Sequence, residues 1–340
     1  MSHIIEEDIL FIVHDFKASL TKLRKKRILV TGATGHLGHY FLKLFLVSNE
    51  LFKLQMSLTS TSQSHLDNSF DEYKEVFEHK IGDLTDSNFI NNFSNFDYII
   101  HLAGYAQPTK FVGDNSSTII LNTFTVSRLL DRLSNNGTFL FISSSEIYSI
   151  NNLIEIEKNS TKKIDVEHHR AAYIFSKLLG EIICYKSNKN VRVARLSMTY
   201  GPGIKKDDSR AVSDFLRQAI TKGVVHLKDS GHAVREYLYV ADGVRALLRI
   251  LLDGESKSYN IGAGLSGKTT IKEMAKIISD LLSTELLIPD SNIAYLSASQ
   301  SVSLDVSKYE SEFEKISKQQ IVGGLKRTID WALEEKVFDE

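Results

Sequence analysis

Arg27-Ile28-Leu29-Val30-Thr31-Gly32-Ala33-Thr34-Gly35-His36-Leu37-Gly38 is the stretch on which the fold turns. A short apolar run, Arg27–Thr31, leads into three glycines and then into helical spacing over His36–Val47. That order reads as strand, tight turn and helix. The glycines have separate tasks: one makes the sharp turn, the next lets backbone approach a pyrophosphate, and the third lets helix and strand pack closely. A pyrophosphate would rest on free N–H groups at the helix N-terminus. The glycines here are spaced three and three, where the common dinucleotide fingerprint runs two and three. Their place between strand and helix is what points to a dinucleotide.

Outward from this turn, short apolar runs alternate with helix-like stretches, the pattern of a parallel sheet wrapped by helices. Strands are predicted at Leu54–Thr59, Val76–Ile81, Tyr98–Leu102, Phe139–Ser143 and Arg192–Leu196, with helices at Ser117–Leu133 and Ala171–Lys186. Beyond Met198 the pattern loosens, and Val212–Lys222 and Ile271–Leu282 read as helices. The expected fold is α/β, a Rossmann-type doubly wound parallel sheet with a smaller C-terminal substrate lobe. Its predicted parts are an N-terminal helical extension (1–26), a dinucleotide-binding domain (27–197) and a substrate-binding lobe (198–340), with parts of 235–262 returning to the first domain. The second strand runs into Thr59-Ser60-Thr61-Ser62-Gln63, with no acid for a ribose 2′-hydroxyl and no arginine for a 2′-phosphate, so NAD and NADP both stay open.

Composition narrows the function classes. The 340 residues are 42% hydrophobic and 24% charged, with a formal net charge of -1, so no bulk field recruits nucleic acid or an anionic membrane. Cys184 is the single cysteine, which excludes an internal disulfide and a multi-cysteine metal site; no metal is expected, and a reducing cytoplasm fits. No run is long and apolar enough to span a bilayer. Glu6, Glu7 and Asp8 precede the short apolar run Ile9–Val13, unlike a signal peptide. Ile9, Val13, Phe16, Leu20 and Leu23 instead mark an amphipathic helix lying on the body, and the basic run Lys22–Arg27 is its solvated end.

Gly262-Ala263-Gly264-Leu265-Ser266-Gly267-Lys268-Thr269 matches the phosphate-binding loop of nucleoside triphosphatases letter for letter. Its context argues for coincidence. Too little chain follows to build the parallel sheet and magnesium-binding strand of such a domain, and Pro289 weakens Leu286–Asp290 as a central strand. The expected reading is a glycine-rich loop with Thr269 or Thr270 capping the next helix.

Tyr173 and Lys177 stand one helical turn apart on one face of the Ala171–Lys186 helix. Beside an ammonium and a positively charged nicotinamide, the phenol would lose its proton more readily and accept one from a sugar hydroxyl. Phe139-Leu140-Phe141-Ile142-Ser143-Ser144-Ser145-Glu146 ends a buried strand in three hydroxyls and a carboxylate, at the edge where parallel sheets bind ligands.

With these segments the chain resembles the extended short-chain dehydrogenase/reductases, the epimerase/dehydratase family of nucleotide sugars. The resemblance runs from about Arg27 onward and rests on an ordered set: the glycine turn, Asp83-Leu84, His101-Leu102-Ala103-Gly104, Asn122, the serine cluster, Tyr173/Lys177, and Arg195 before Tyr200-Gly201-Pro202. It implies a cofactor site of Gly32, Gly35, His36, Leu37, Gly38, Asp83, Leu84, Ala103, Asn122, Tyr173 and Lys177. It further implies Ser144 on the reacting sugar hydroxyl, Tyr173 as base, Lys177 on the nicotinamide ribose, and Ser145-Glu146 as the pair that takes the proton beside a new ketone. Arg210 and Arg235 resemble residues that hold the substrate diphosphate.

The implied protein is a cytoplasmic homodimer with NAD, NADP not being excluded. Its substrate would be a nucleoside-diphosphate sugar, oxidised at C4 by hydride transfer and then deprotonated at C5, as in 4,6-dehydratases or epimerases. A UDP-glucuronate decarboxylase-like enzyme, an NADPH-dependent 4-ketosugar reductase and a catalytically silent dinucleotide-binding protein are the alternatives. Three departures stand out: Met198 in place of an asparagine, Ser149 in place of a glycine, and no arginine between Arg249 and Arg327. The last ranks decarboxylation lower, because decarboxylases place an arginine where this chain reads Ser297–Val302.

Overall fold

The computed structural model describes residues 2–61, 73, 76–156, 162–289 and 303–339. Seven parallel strands form the central sheet: β1 (Arg27–Thr31), β2 (Gln55–Ser60), β3 (Glu78–Ile81), β4 (Phe96–His101), β5 (Leu133–Ser144), β6 (Asn190–Leu196) and β7 (Ser258–Ile261), in the order β7-β6-β5-β4-β1-β2-β3. Chain direction across the sheet reverses beside β1, so the crevice at the carboxyl ends of β1 and β4 is the switch point where such sheets take ligands. The inner strands are buried on both faces. Ile28, Leu29, Val30, Ile99, Ile100, Phe139, Leu140 and Phe141 have no measurable exposure, which is why they read as continuous apolar runs.

The Ala171–Lys186 and Ile271–Leu282 helices have the predicted bounds. The stretch read as one helix from Ser117 is two, Asn115–Asn122 and Phe124–Asp131, broken at Thr123, whose φ of -124° and ψ of -77° leave the helical region. A long helix unnamed in the sequence reading, Val240–Asp253, carries the chain back to the sheet and into β7. Outside the sheet, Met198–Tyr200, Val234–Tyr239 and Lys268–Thr270 make a three-stranded sheet, and Val224–His226 pairs with Glu285–Leu287. Among the described residues no helix is long and apolar enough to cross a membrane.

The N-terminal segment forms the helix His3–Asp15, then short turns to Leu23, and Ile9, Val13, Phe16, Leu20 and Leu23 are all buried. Asp8 is its polar anchor. Its carboxylate accepts from Tyr40 (2.9 Å), Tyr239 (2.8 Å) and Arg327 (2.9 Å), joining four distant segments. In the basic run, Lys22 pairs with Asp253 at 2.7 Å and Lys26 approaches Asp97 at 3.9 Å, as a solvated face does.

The triphosphatase-like loop is filled from within. Glu236, on Val234–Tyr239, is buried, and its carboxylate accepts from the backbone N–H of Gly264 at 3.1 Å and of Leu304 at 2.7 Å, with Ala263 also bonded. A Cβ at Gly262 would lie 1.9 Å from that carboxylate, so the glycine serves its approach. Thr270 caps the following helix through a reciprocal pair with Glu273. A carboxylate of the chain occupies the place a phosphate would need.

Candidate active site

At the switch point a cleft of about 340 Å³ opens between the glycine turn, the ends of β2 and β4, and the Lys205–Arg210 segment. Gly32, at φ +67°, lies under the β4 loop; a Cβ there would meet backbone of Ala103 at 2.6 Å. At Gly38 a Cβ would lie 2.2 Å from the Gly32 carbonyl, so helix and turn pack backbone to backbone. Gly35 is the N-cap of the His36–Phe52 helix and brings no side chain to cap it, which leaves the first-turn N–H groups facing the cleft.

A buried chain of hydrogen bonds fixes the β4 loop over this turn. The Leu121 carbonyl only accepts, so His101 Nε2 donates to it (3.0 Å) and Nδ1 accepts from the Thr31 hydroxyl (2.8 Å). Thr31 Oγ1 in turn accepts from the Ala103 N–H at 3.2 Å. Burial pulls His101 down to about 4, which keeps it neutral and this pattern intact at neutral pH. Asp83, Leu84 and Ala103 line the cleft; Leu37 packs on the core instead, beside the turn. Asn122 donates to Ser176 at 3.0 Å, while its Oδ1 is buried without a protein partner. An unpaired buried acceptor, a backbone cradle that a Cβ would fill and an uncapped helix N-terminus together fit a dinucleotide.

Ser144, Tyr173 and Lys177 come together behind this cleft. Ser144 is within hydrogen-bonding reach of the Tyr173 phenol and accepts from the Glu146 N–H at 3.2 Å. Lys177 Nζ donates to the Ile142 carbonyl at 2.7 Å and lies 5.9 Å from the Tyr173 ring centroid. It also borders Asn122: a Cβ at Gly104 would lie 3.7 Å from Lys177 Nζ and 3.6 Å from Asn122 Oδ1. Among protein groups alone, burial is the leading influence on the phenol. Burial pushes it up to about 12, with the Glu146 charge adding to the effect, and the same burial pulls Lys177 down to about 7. Phe111 stacks on the Tyr173 ring at 4.4 Å.

Ser145 opens the 3-10 turn Ser145–Leu153 and is half-buried. Glu146 follows it and takes Arg170 Nη1 on Oε1 at 2.5 Å, with Oε2 buried and unpartnered. Arg235 is near enough to feel both Arg170 and Glu146, and donates to the Val234 carbonyl at 2.7 Å. Arg210 lines the cofactor-loop cleft, close enough for its charge to reach Tyr173, and is clamped by Asp208 at 2.6 Å. Ser149 is buried with its hydroxyl unpartnered, and Met198 is half-buried against the core. Ser62, Gln63 and Ser297–Val302 lie outside the described residues.

A model of the NAD-dependent epimerase/dehydratase family matches residues 28–262. The chain belongs to that family. It is 28% identical over 292 residues to UDP-glucuronic acid decarboxylase 1 of Xenopus tropicalis, covering 83% of this chain and 65% of that protein, so it spans about two thirds of that relative's length. Among solved structures it is similar to the dTDP-glucose 4,6-dehydratase DesIV of Streptomyces venezuelae with NAD bound (TM-score 0.73, 21% identity, 91% of this chain and 98% of that one). It is also similar to an epimerase of Methanothermobacter thermautotrophicus (TM-score 0.75, 20% identity, 95% and 97%). At such identities the likeness is one of fold.

Sequence reasoning missed two residues that border the Tyr173–Glu146 cluster, Arg170 and Phe111. Arg170 is one turn before Tyr173 on the same helix face, a spacing that was readable. Phe111 carries no local signal, because its role comes from a helix that folds back from sixty residues away.

Proposed function

We propose that this chain is an NAD-dependent nucleotide-sugar enzyme that oxidises C4 transiently and removes the C5 proton, in the manner of a 4,6-dehydratase or epimerase. The observation that carries this reading is a carboxylate oxygen, Glu146 Oε2, buried and unpartnered beside the Ser144–Tyr173 pair. Asn122, Lys177 and the glycine turn would hold NAD, which supplies the hydride acceptor for C4. Ser144 would hold the C4 hydroxyl while Tyr173 takes its proton. A C4 ketone acidifies the C5 hydrogen, and Glu146 Oε2 is the base within reach of that carbon. Arg235 fits the substrate diphosphate through its planar fork, and Arg210, at the cofactor cleft, fits the diphosphate of either ligand.

Decarboxylation is the second reading, favoured by the decarboxylase relatives and by Arg170 and Arg235 next to Glu146, cations that would face a C6 carboxylate. We assign residues 27–197 to cofactor binding and 198–340 to the substrate lobe, with Val240–Ile261 rejoining the first. A homodimer fits the exposed apolar residues Ile119, Phe124, Leu179 and Ile182 on three neighbouring helices, and a cytoplasmic location fits the lone buried thiol of Cys184.

Mass spectrometry of the protein with NAD and a panel of UDP-, dTDP- and GDP-hexoses and UDP-glucuronate tests the reading. Loss of water or a stereoisomer is expected, and loss of carbon dioxide would establish the second reading. Steady consumption of NADPH, added in a parallel incubation, would instead identify a reductase, and turnover unchanged in Tyr173→Phe would leave the mechanism without its base.

A further inference from the structure

Arg170 is placed where a cation is electrostatically disfavoured. It is the N-cap residue of the Ala171–Lys186 helix, whose positive dipole end it faces, and no side chain caps that helix. Its compensation is Glu146, held at 2.5 Å with side-chain exposures of only 16% and 24%. Both partners keep one buried, unsatisfied atom, Nε on Arg170 and Oε2 on Glu146. The guanidinium carbon also lies 5.7 Å from the Phe111 ring centroid, and Phe111 stacks on Tyr173. One side chain therefore touches both the carboxylate and the aromatic wall of the phenol.

We propose that Arg170 is a positioning residue that clamps Oε1 of Glu146 and so dedicates Oε2 to the sugar. The claim rests on the functional reading above. A carboxylate on a short 3-10 turn has free rotation about its last torsions, and either oxygen could face the substrate. The bond from Nη1 to Oε1 removes that choice. The guanidinium's buried and unpartnered donor, Nε–H, and the free acceptor, Oε2, are suited to the two halves of one hydroxyl group, which accepts from the first and donates to the second. That pairing favours a sugar with a hydroxyl next to the reacting carbon. Misplacement of a base by about an ångström costs about 10²-fold in rate.

The test is solvent deuterium entry at C5 of the turned-over sugar, in wild type, Arg170→Met, Arg170→Lys, Glu146→Gln and the Met/Gln double variant. Arg170→Met is expected to slow exchange about 10²-fold with KM little changed, and Arg170→Lys to recover part of it. The double variant should be no slower than Glu146→Gln alone, because Arg170 acts through that carboxylate. A double variant slowed by the product of the two single effects would overturn the proposal. So would a crystal structure of Arg170→Met in which Glu146 keeps its place. That second result needs no substrate, so it separates failure of the clamp from failure of the functional reading, which would show as a wild type inert toward every sugar.

Discussion

Phe111 lies face to face with Tyr173, ring centroids 4.4 Å apart and planes 16° from parallel. The ring covers one face of the tyrosine, whose phenol burial pushes up to about 12. Phe111→Ala should therefore bring the Tyr173 phenol down from about 12 toward its ordinary value. If the phenolate is the working base, the rising limb of kcat/KM against pH moves to lower pH in this variant. The emptied site should also cost about 3 kcal/mol or more of stability, read by urea unfolding. An unmoved limb would mean that Tyr173 is not the titrating group.

Gly38 tests the cofactor cradle. In Gly38→Ala the new methyl lies 2.2 Å from one backbone carbonyl and 2.6 Å from another, and neither can swing aside as a side chain can. The helix has to lift, with an expected loss of about 1–3 kcal/mol of stability and a tenfold or greater weakening of NAD binding in calorimetric titration. Gly113→Ala is the control, since a methyl there meets nothing within 4 Å.

Lys177 is a buried cation that lowers stability. Its ordinary value of 10.5 is pulled down to about 7 by burial, so between those limits the unfolded chain holds a proton that the folded chain lacks, and stability rises with pH. Lys177→Met should raise the melting temperature by about 2 °C or more below pH 7. That advantage should fade as pH climbs toward 10.5, while turnover is lost at every pH. Scanning calorimetry across this range reads both slopes; a variant less stable than wild type at pH 6 would contradict the account.

His101 titrates in the acid range with the same sign. Its folded value near 4 lies below the ordinary 6.5, so the neutral, doubly bonded ring contributes fully above 6.5 and is lost as pH falls through 4. The shift corresponds to about 3 kcal/mol at 1.4 kcal/mol per unit. His101→Asn should be less stable at pH 7 yet show a flatter decline on acidification, followed by urea midpoints. His36, half-buried at the cleft and also brought down to about 4 by desolvation, adds to the wild-type slope and remains in the variant as an internal reference.

Much of this architecture was readable from periodicity and glycine. Strand β1, its turn, and the Ala171–Lys186 and Ile271–Leu282 helices follow from local pattern, because each buries one continuous stripe or run. The break at Thr123 did not, since nothing in Asn122-Thr123-Phe124 forbids a helix, and tertiary packing decides it. The Val240–Asp253 helix was overlooked although Val240, Val244, Leu247, Leu248 and Leu251 have helical spacing; the irregular stretch before it hid the signal. In the site, the spacing of Tyr173 and Lys177 was apparent, whereas the phenol's raised proton affinity follows from burial that only three dimensions create, among neighbours such as Phe111.

The Glu236 carboxylate inside the Gly262–Thr269 loop has a consequence for reading spelling as chemistry. Eight letters that elsewhere announce a nucleotide are here answered by an acid on the adjoining strand, so the anion was supplied at translation. An acidic residue one strand away, aimed at such a glycine loop, is thus a simple criterion for discarding a triphosphatase match before any nucleotide is weighed out.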